Sequence, residues 1–194
     1  MPRLLIINNH DSFTYNLVDL ARRLIPESRM DVVNVERLDL DAVKKYSHIL
    51  LSPGPDVPAA YPQLFACLQR YYRHKAILGV CLGHQTLCQF FGGTLYNLAE
   101  VRHGVAGRLK VRCDSRLFLH LPREFQIGLY HSWAVSAENF PAELEIVACC
   151  QEGVVMAMQH KRLPVYGVQF HPESYISEYG ERILLNWLTS VRDG

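Results

Sequence analysis

The chain has 194 residues, of which 49% are hydrophobic and 20% are charged, and its formal net charge is +1. This balance argues against nucleic acid as a partner, and no apolar run is long enough to span a membrane. Length and composition instead predict one domain, residues 1–194, with a sizeable hydrophobic core.

Cysteine usage and the N-terminal sequence indicate a reduced protein without a metal site. The six cysteines include no Cys-x-x-Cys pair, which disfavours zinc and thioredoxin-like sites. The apolar start at 3–8 is followed at once by Asn-Asn-His-Asp, as in a first strand rather than a signal peptide. We therefore expect a cytoplasmic location, with no disulfide, metal or cofactor.

Strand-like and helix-like segments alternate in the first half of the chain. Continuous apolar runs predict strands that are covered on both faces, and apolar residues at helical spacing predict helices between them. The predicted strands are 3–8, 30–36, 48–52 and 76–80, and the predicted helices are 11–25, 39–46, 61–74 and 82–93. This order favours a parallel sheet with helices on both faces.

The second half is mostly strand-like and ends in an amphipathic helix. Its predicted strands are 94–98, 107–112, 125–136, 144–150, 154–160 and 165–170, and its predicted helix is 179–191. The predicted fold class is therefore α/β. We expect a single-domain, open, largely parallel twisted sheet with flanking helices and additional antiparallel strands in the second half.

A cysteine stands between two glycines where the fourth predicted strand meets a helix, in the sequence GVCLGHQ (79–85). Strand, Gly-x-Cys-x-Gly and helix match a nucleophile elbow with Cys81 in place of serine. The helix start favours the thiolate of Cys81 and leaves the N–H of Leu82 free to bind an oxyanion. A lone cysteine is more often a small buried side chain, but the two glycines and the strand–helix context favour the nucleophile.

A base for this thiol is found in GVQFHPES (167–174), which follows the last predicted strand. In extended backbone, residues two apart face the same way, so Glu173 can orient the imidazole of His171. His171 on its own would be interpreted as a hydrogen-bonded histidine at a strand end. The elbow elsewhere in the chain favours the catalytic interpretation.

The turn LSPGPDVP (51–58) closes another predicted parallel strand and so lies at the same sheet edge. Gly54 stands between two prolines, and its N–H is a candidate second oxyanion donor. A plain Pro-Gly turn is the simpler interpretation of this stretch when it is taken alone.

Four motifs in this order, SPGP, GVCLGHQ, YHSW and GVQFHPES, resemble the class I glutamine amidotransferases with a Cys-His-Glu triad. The opening NNHDSFTYNL is similar to a narrower group, the small glutaminase subunits of anthranilate synthase and aminodeoxychorismate synthase. The resemblance extends from residue 3 to about the last helix.

The resemblance implies a role for each matching position. Cys81 would attack the side-chain amide of L-glutamine, His171 would act as acid and base, and Glu173 would orient His171. The N–H groups of Gly54 and Leu82 would form the oxyanion hole. The remaining glutamine-binding residues would be Gly54, Pro55, Asp56, Gln85, Ser132 and Trp133.

The resemblance also implies a partner, a large chorismate-binding synthase subunit that accepts the ammonia. The glutaminase fold would use nearly all of the chain and leave no room for a chorismate site. Docking of the large subunit over the active-site edge would complete the site and keep the ammonia from solvent.

Three departures from the family pattern leave the triad intact but bear on the partner. Val105 stands where the narrower group commonly has lysine, and Trp133 stands where leucine is frequent. The stretch AAYPQ (59–63) replaces the usual Ala-Gly. The sequence therefore leaves the synthase, and the choice between anthranilate and aminodeoxychorismate, open.

Two other functions are compatible with the same residues. A γ-glutamyl hydrolase or cysteine peptidase would keep the triad but act on another substrate, although Gln85 and YHSW favour the amidotransferase. A degenerate, non-catalytic regulatory module would not require the intact Cys81, His171 and Glu173.

Overall fold

A computed structural model describes residues 1–190 as one nine-stranded sheet covered by four α-helices. The strands are β1 (Leu4–Asn8), β2 (Met30–Asn34), β3 (His48–Leu51), β4 (Ala76–Val80), β5 (Leu95–Val111), β6 (Glu124–Val135), β7 (Leu144–Cys150), β8 (Val155–His160) and β9 (Val165–Val168). The helices are α1 (Thr14–Arg22), α2 (Pro62–Tyr71), α3 (Leu82–Phe90) and α4 (Gly180–Leu188). The predicted α/β fold class is confirmed.

Half of the sheet is parallel, in the order β2-β1-β3-β4-β9. The residues of β1, β3, β4 and β9 are buried throughout, as the continuous apolar runs predict. β4 lies between β3 and β9, and the three strands end at the same sheet edge. The segments that follow these strands therefore meet at that edge.

The other half of the sheet is antiparallel, in the order β9-β8-β7-β5-β6. The additional antiparallel strands expected in the second half thus extend the main sheet. β5 pairs with β7 only over Leu109–Val111 but pairs with β6 along most of its length. The remainder of β5 and its partner β6 therefore form a two-stranded ribbon.

The hydrophobic core has two layers, one on each face of the sheet. Buried residues of α1 and α4 pack on one face, and buried residues of α2 and α3 pack on the other. Trp187 of α4 is fully buried in the first layer. Within residues 1–190, no helix combines the length and apolar character that crossing a membrane requires.

Two predicted elements differ from the structure. The predicted helix 39–46 is only a short 3₁₀ turn, Ala42–Lys45, because a single apolar side chain, Val43, is buried there. The predicted strands 94–98 and 107–112 are one strand, β5, because the mostly exposed residues between them pair with β6 through two register shifts. Position 191 of the last predicted helix lies outside the described residues.

Candidate active site

Cys81 lies at the turn between β4 and α3 in a strained backbone conformation, with φ 52° and ψ −101°. This region is costly for a residue with a side chain and is typical of nucleophile elbows. The turn is held by hydrogen bonds from Cys81 N–H to the Val168 carbonyl (2.8 Å) and from Gln85 N–H to the Cys81 carbonyl (3.0 Å). The predicted elbow geometry is therefore present.

The glycines on either side of Cys81 allow the strand and helix to approach closely. A Cβ on Gly79 would lie 2.4 Å from the Gly83 carbonyl, and a Cβ on Gly83 would lie 2.4 Å from the Leu51 carbonyl. Both neighbours are backbone atoms, one of α3 and one of β3, which cannot move aside without displacing these elements. The elbow therefore requires glycine at both positions because a side chain would not fit. The unusual backbone φ of the turn is adopted by Cys81 and not by the glycines.

We expect Gly83→Ala to destabilise the protein by about 3 kcal/mol, since its new methyl overlaps the backbone of β3. Urea unfolding would measure the loss. Gly153→Ala is a matched control, because its Cβ would meet nothing within 4 Å and only its φ of 83° is unfavourable. A loss at Gly83 no larger than that at Gly153 would contradict the crowding argument.

His171 and Glu173 form a buried pair just beyond β9. Nδ1 of His171 lies 2.7 Å from Oε1 of Glu173, and both side chains are almost wholly buried. Nε2 of His171 has no hydrogen-bond partner among residues 1–190. The carboxylate thus holds one ring nitrogen and leaves the other available for chemistry.

The surroundings of His171 favour its protonated form. Burial lowers the pKa of His171, but the neighbouring Cys81 and Glu173 side chains raise it more, to about 10. The rings of Phe13 and Tyr130 lie 5.1 Å and 4.9 Å from the imidazole, measured between centroids. These contacts restrict the ring to one orientation.

Gly54, which follows β3, packs directly against the start of α3. A Cβ at Gly54 would lie 2.2 Å from Cδ2 of Leu82. Leu82 is the first residue of α3, so its N–H has no acceptor within the helix. The two residues predicted to form an oxyanion hole are therefore neighbours.

One cavity of about 370 Å³ contains nearly all the predicted site residues. Its walls include Gly54, Pro55, Asp56, Cys81, Leu82, Gln85, Ser132, Trp133 and His171. Glu173 does not line the cavity and instead lies behind His171. The residues come from segments after β3, β4 and β9 and from the β5–β6 ribbon, which lie far apart in the sequence.

The ribbon is connected to the elbow helix by Gln85. Its Nε2 donates to the Trp133 carbonyl of β6 (2.9 Å) and to Oε1 of Gln169 (3.1 Å). Nδ1 of His131 also lies 2.9 Å from the Trp133 carbonyl. Strand β6 is the last in the strand order of the sheet, and these hydrogen bonds connect it to the cavity.

Several residues of the site were not predicted from the sequence. Phe13, His103 and Tyr130 line the cavity, and Gln169 contacts the sulfur of Cys81. Tyr130 is the first residue of YHSW and Gln169 lies within GVQFHPES, which is the signal that could have found them. Phe13 lies within NNHDSFTYNL, but neither Phe13 nor His103 shows from the sequence alone that its segment lies beside the elbow, because only folding brings these segments there.

His84 lies on the elbow helix, next to Gln85. It is fully buried against Gly167 of β9, and neither ring nitrogen has a hydrogen-bond partner among the described residues. Burial lowers its pKa to about 3, so it is a neutral core residue rather than a second base.

Comparison with known proteins gives close relatives over nearly the whole chain. A Haemophilus influenzae protein provisionally named anthranilate synthase component II is 67% identical over 187 residues, covering 96% of this chain and 95% of that protein. Anthranilate synthase component 2 of Mycobacterium tuberculosis is 38% identical over 193 residues, covering 96% of this chain and 82% of that protein.

Solved structures share the fold at lower identity. A Thermoplasma acidophilum protein, provisionally named as one subunit of a GMP synthase, has a TM-score of 0.86 at 22% identity, with 97% of this chain and 92% of that chain covered. A glutamine amidotransferase from Thermotoga maritima has a TM-score of 0.73 at 18% identity, with 96% and 80% covered.

The sequence profile of the family described as glutamine amidotransferase class-I matches residues 5–191. That match spans most of the chain and includes all four motifs that carry the resemblance. It agrees with the relatives and with the shared fold. The chain belongs to the class-I glutamine amidotransferase family.

Proposed function

We propose that this chain is the glutaminase subunit of an anthranilate synthase, which hydrolyses L-glutamine and passes the ammonia to a chorismate-using subunit. The observation that carries the proposal is that Cys81, His171 and Gln85 line one cavity, with Glu173 hydrogen-bonded to His171 behind it. The names of the relatives, anthranilate synthase component II or 2, support the choice of synthase. We further propose that residues 1–194 form a single glutaminase domain.

The first half of the reaction is acyl transfer to sulfur. Sγ of Cys81 attacks the side-chain amide carbon of glutamine, and the developing oxyanion accepts from the N–H groups of Gly54 and Leu82. His171 gives a proton to the leaving nitrogen, the C–N bond breaks, and ammonia and a glutamyl thioester result. The raised pKa of His171 suits this step, because the ring is protonated when the leaving group needs the proton.

The second half is hydrolysis of the thioester. His171, now neutral, takes a proton from water, and the hydroxide attacks the thioester carbon in the same oxyanion hole. The C–S bond breaks, and glutamate and the starting form of Cys81 are regenerated. Throughout both halves, Glu173 holds the other ring nitrogen of His171 and stabilises the imidazolium.

We assign recognition of glutamine to the cavity residues outside the triad. Ser132 and Trp133 would bind the α-amino and α-carboxylate groups through their backbone, and Pro55 and Asp56 would line the same end. Both amide hydrogens of Gln85 have protein acceptors, so Oε1 is the atom that it can offer to the substrate. Replacement of leucine by Trp133 would leave these backbone contacts possible.

The partner is expected to dock over the mouth of this cavity. Val105 is 39% exposed on β5, close to the cavity residue His103, which agrees with a partner-facing position. Ammonia released into water would become protonated and lose its nucleophilic lone pair. A docked synthase subunit would prevent this by covering the opening.

We expect the isolated chain to hydrolyse glutamine slowly and the synthase subunit to accelerate it roughly 100-fold, the effect of one completed oxyanion contact. Glutamate release would be measured with and without the subunit from the same organism. Identification of the product formed from chorismate and glutamine then distinguishes anthranilate from aminodeoxychorismate. A full rate without any subunit would contradict gating by the partner, and a different product would contradict the chosen synthase.

A further inference from the structure

Gln169 lies directly between Cys81 and the residue expected to contact glutamine. Its Nε2 donates to Sγ of Cys81 over 3.5 Å, and its Oε1 accepts from Nε2 of Gln85 over 3.1 Å. Gln85 donates in turn to the Trp133 carbonyl. A continuous chain of hydrogen bonds therefore joins the sulfur of the nucleophile to the strand that lines the glutamine pocket.

This chain has a defined direction. The carbonyl of Trp133 can only accept, so it takes one hydrogen of the Gln85 amide, and Oε1 of Gln169 takes the other. Gln169 then has only its amide hydrogens to offer to Sγ. The polarity of the relay thus presents a donor, not an acceptor, to the sulfur.

Burial protects these hydrogen bonds from competition by water. Gln169 is fully buried and Gln85 is 3% exposed, so water does not compete for their amide groups. The backbone of Gln169 is anchored by a hydrogen bond from its N–H to the Met156 carbonyl of β8 (2.9 Å). An amide donor held in this way favours the negatively charged form of its acceptor.

We propose that Gln169 is a positioning residue that holds Sγ of Cys81 in place and stabilises its thiolate, while linking it through Gln85 to the glutamine-binding strand. The inference rests on the proposed nucleophilic role of Cys81. A thiolate accepts a hydrogen bond well and a thioester sulfur accepts one poorly. The contact is therefore strongest before attack and when the sulfur leaves the carbonyl carbon in hydrolysis.

The test is the pH dependence of Cys81 alkylation by iodoacetamide in the isolated chain, in which S–C bond formation releases iodide. Peptide mass spectrometry separates Cys81 from the other cysteines. Cys67 and Cys88, whose pKa values burial raises to about 12, provide unreactive internal references. We expect Gln169→Met, which keeps the volume but has no donor, to slow alkylation at neutral pH roughly tenfold or more and shift its midpoint upwards.

Thr86→Val is the matched control. Thr86 is buried on α3 and donates to the Leu82 carbonyl (2.8 Å), so its loss perturbs the same helix without removing a contact to Sγ. We expect the alkylation profile of this variant to match the wild type. If Gln169 has a purely structural role, Gln169→Met should behave like Thr86→Val. Both variants would then be less stable than the wild type, but the pH midpoint of Cys81 alkylation would be unchanged in each.

Gln169→Glu, which is nearly isosteric, tests the same point if Gln169→Met does not fold. Alkylation of Cys81 at the wild-type rate and with the wild-type pH midpoint in the folded variants would overturn the proposal. A failure of both Gln169 variants to fold would also overturn it, because it would mark Gln169 as a core residue. The measurement uses neither glutamine nor the synthase. A chain that lacks glutaminase activity even with the synthase subunit, but shows Gln169-dependent reactivity of Cys81, would refute the proposed function and leave this inference standing.

Discussion

Cys81→Ala is expected to abolish glutamine-dependent product formation by the complex with the synthase subunit, by roughly a thousandfold or more, while product formation from added ammonia continues. Without Sγ no thioester can form, and no other cysteine lines the cavity within the part of the chain that the structure describes. Ammonia supplied from solution bypasses the glutaminase step. Rates with glutamine and with ammonium salts at high pH would be compared in the same preparation.

Cys113→Ala is a suitable control for the loss of a thiol. Cys113 is partly buried and lies outside the cavity, so both activities should stay close to the wild type. Loss of the ammonia-dependent rate in Cys81→Ala would indicate damage to the complex rather than loss of the nucleophile. An undiminished glutamine-dependent rate would favour the non-catalytic regulatory alternative.

Glu173→Gln is expected to lower kcat for glutamine hydrolysis by roughly 10²–10⁴-fold with little change in packing. The carboxylate that accepts from Nδ1 of His171 is replaced by an amide, which stabilises neither the required tautomer nor the imidazolium. Steady-state kinetics with the synthase subunit would measure the effect. Glu145→Gln on β7, whose carboxylate accepts from Gln159 outside the cavity, is the matched control.

The same variant should change how stability depends on pH. In the wild type the pKa of His171 is raised from 6.5 to about 10, so its protonation stabilises the fold fully below pH 6.5 and progressively less towards pH 10. Removing Glu173 lowers the pKa of His171 and should reduce this loss. Urea unfolding at about pH 6 and about pH 9 would measure how much unfolding free energy each protein loses between these pH values. An equal loss in the wild type and in Glu173→Gln would contradict the role of Glu173 in raising the pKa of His171.

The fold was predictable where local pattern and burial agree. The runs that form β1, β3 and β4 are apolar because both faces of a parallel strand are covered, and their limits were close to those observed. The elbow was predictable for a similar reason. Gly79 and Gly83 mark a strand and a helix that approach too closely for any side chain.

The sequence alone was less informative where pairing partners decide the structure. The interior of β5 is exposed and irregular, so its strand conformation depends on β6 and on two register shifts. The segment 39–46 has a helical composition, but within its 3₁₀ turn only one apolar side chain, Val43, is buried, which is insufficient for a stable helix.

The sequence by itself determined the candidate site residues: a cysteine at a strand–helix elbow, a His-x-Glu pair after the last strand and a Gly54 turn. Each depends on residue types and short spacings that local geometry can interpret. Only the tertiary structure decided that they meet, because proximity follows from the strand order β3-β4-β9, which places β9 beside β4. The contacts of Gln169 with Cys81 and Gln85 likewise join distant segments, and they became visible only once the sheet had formed.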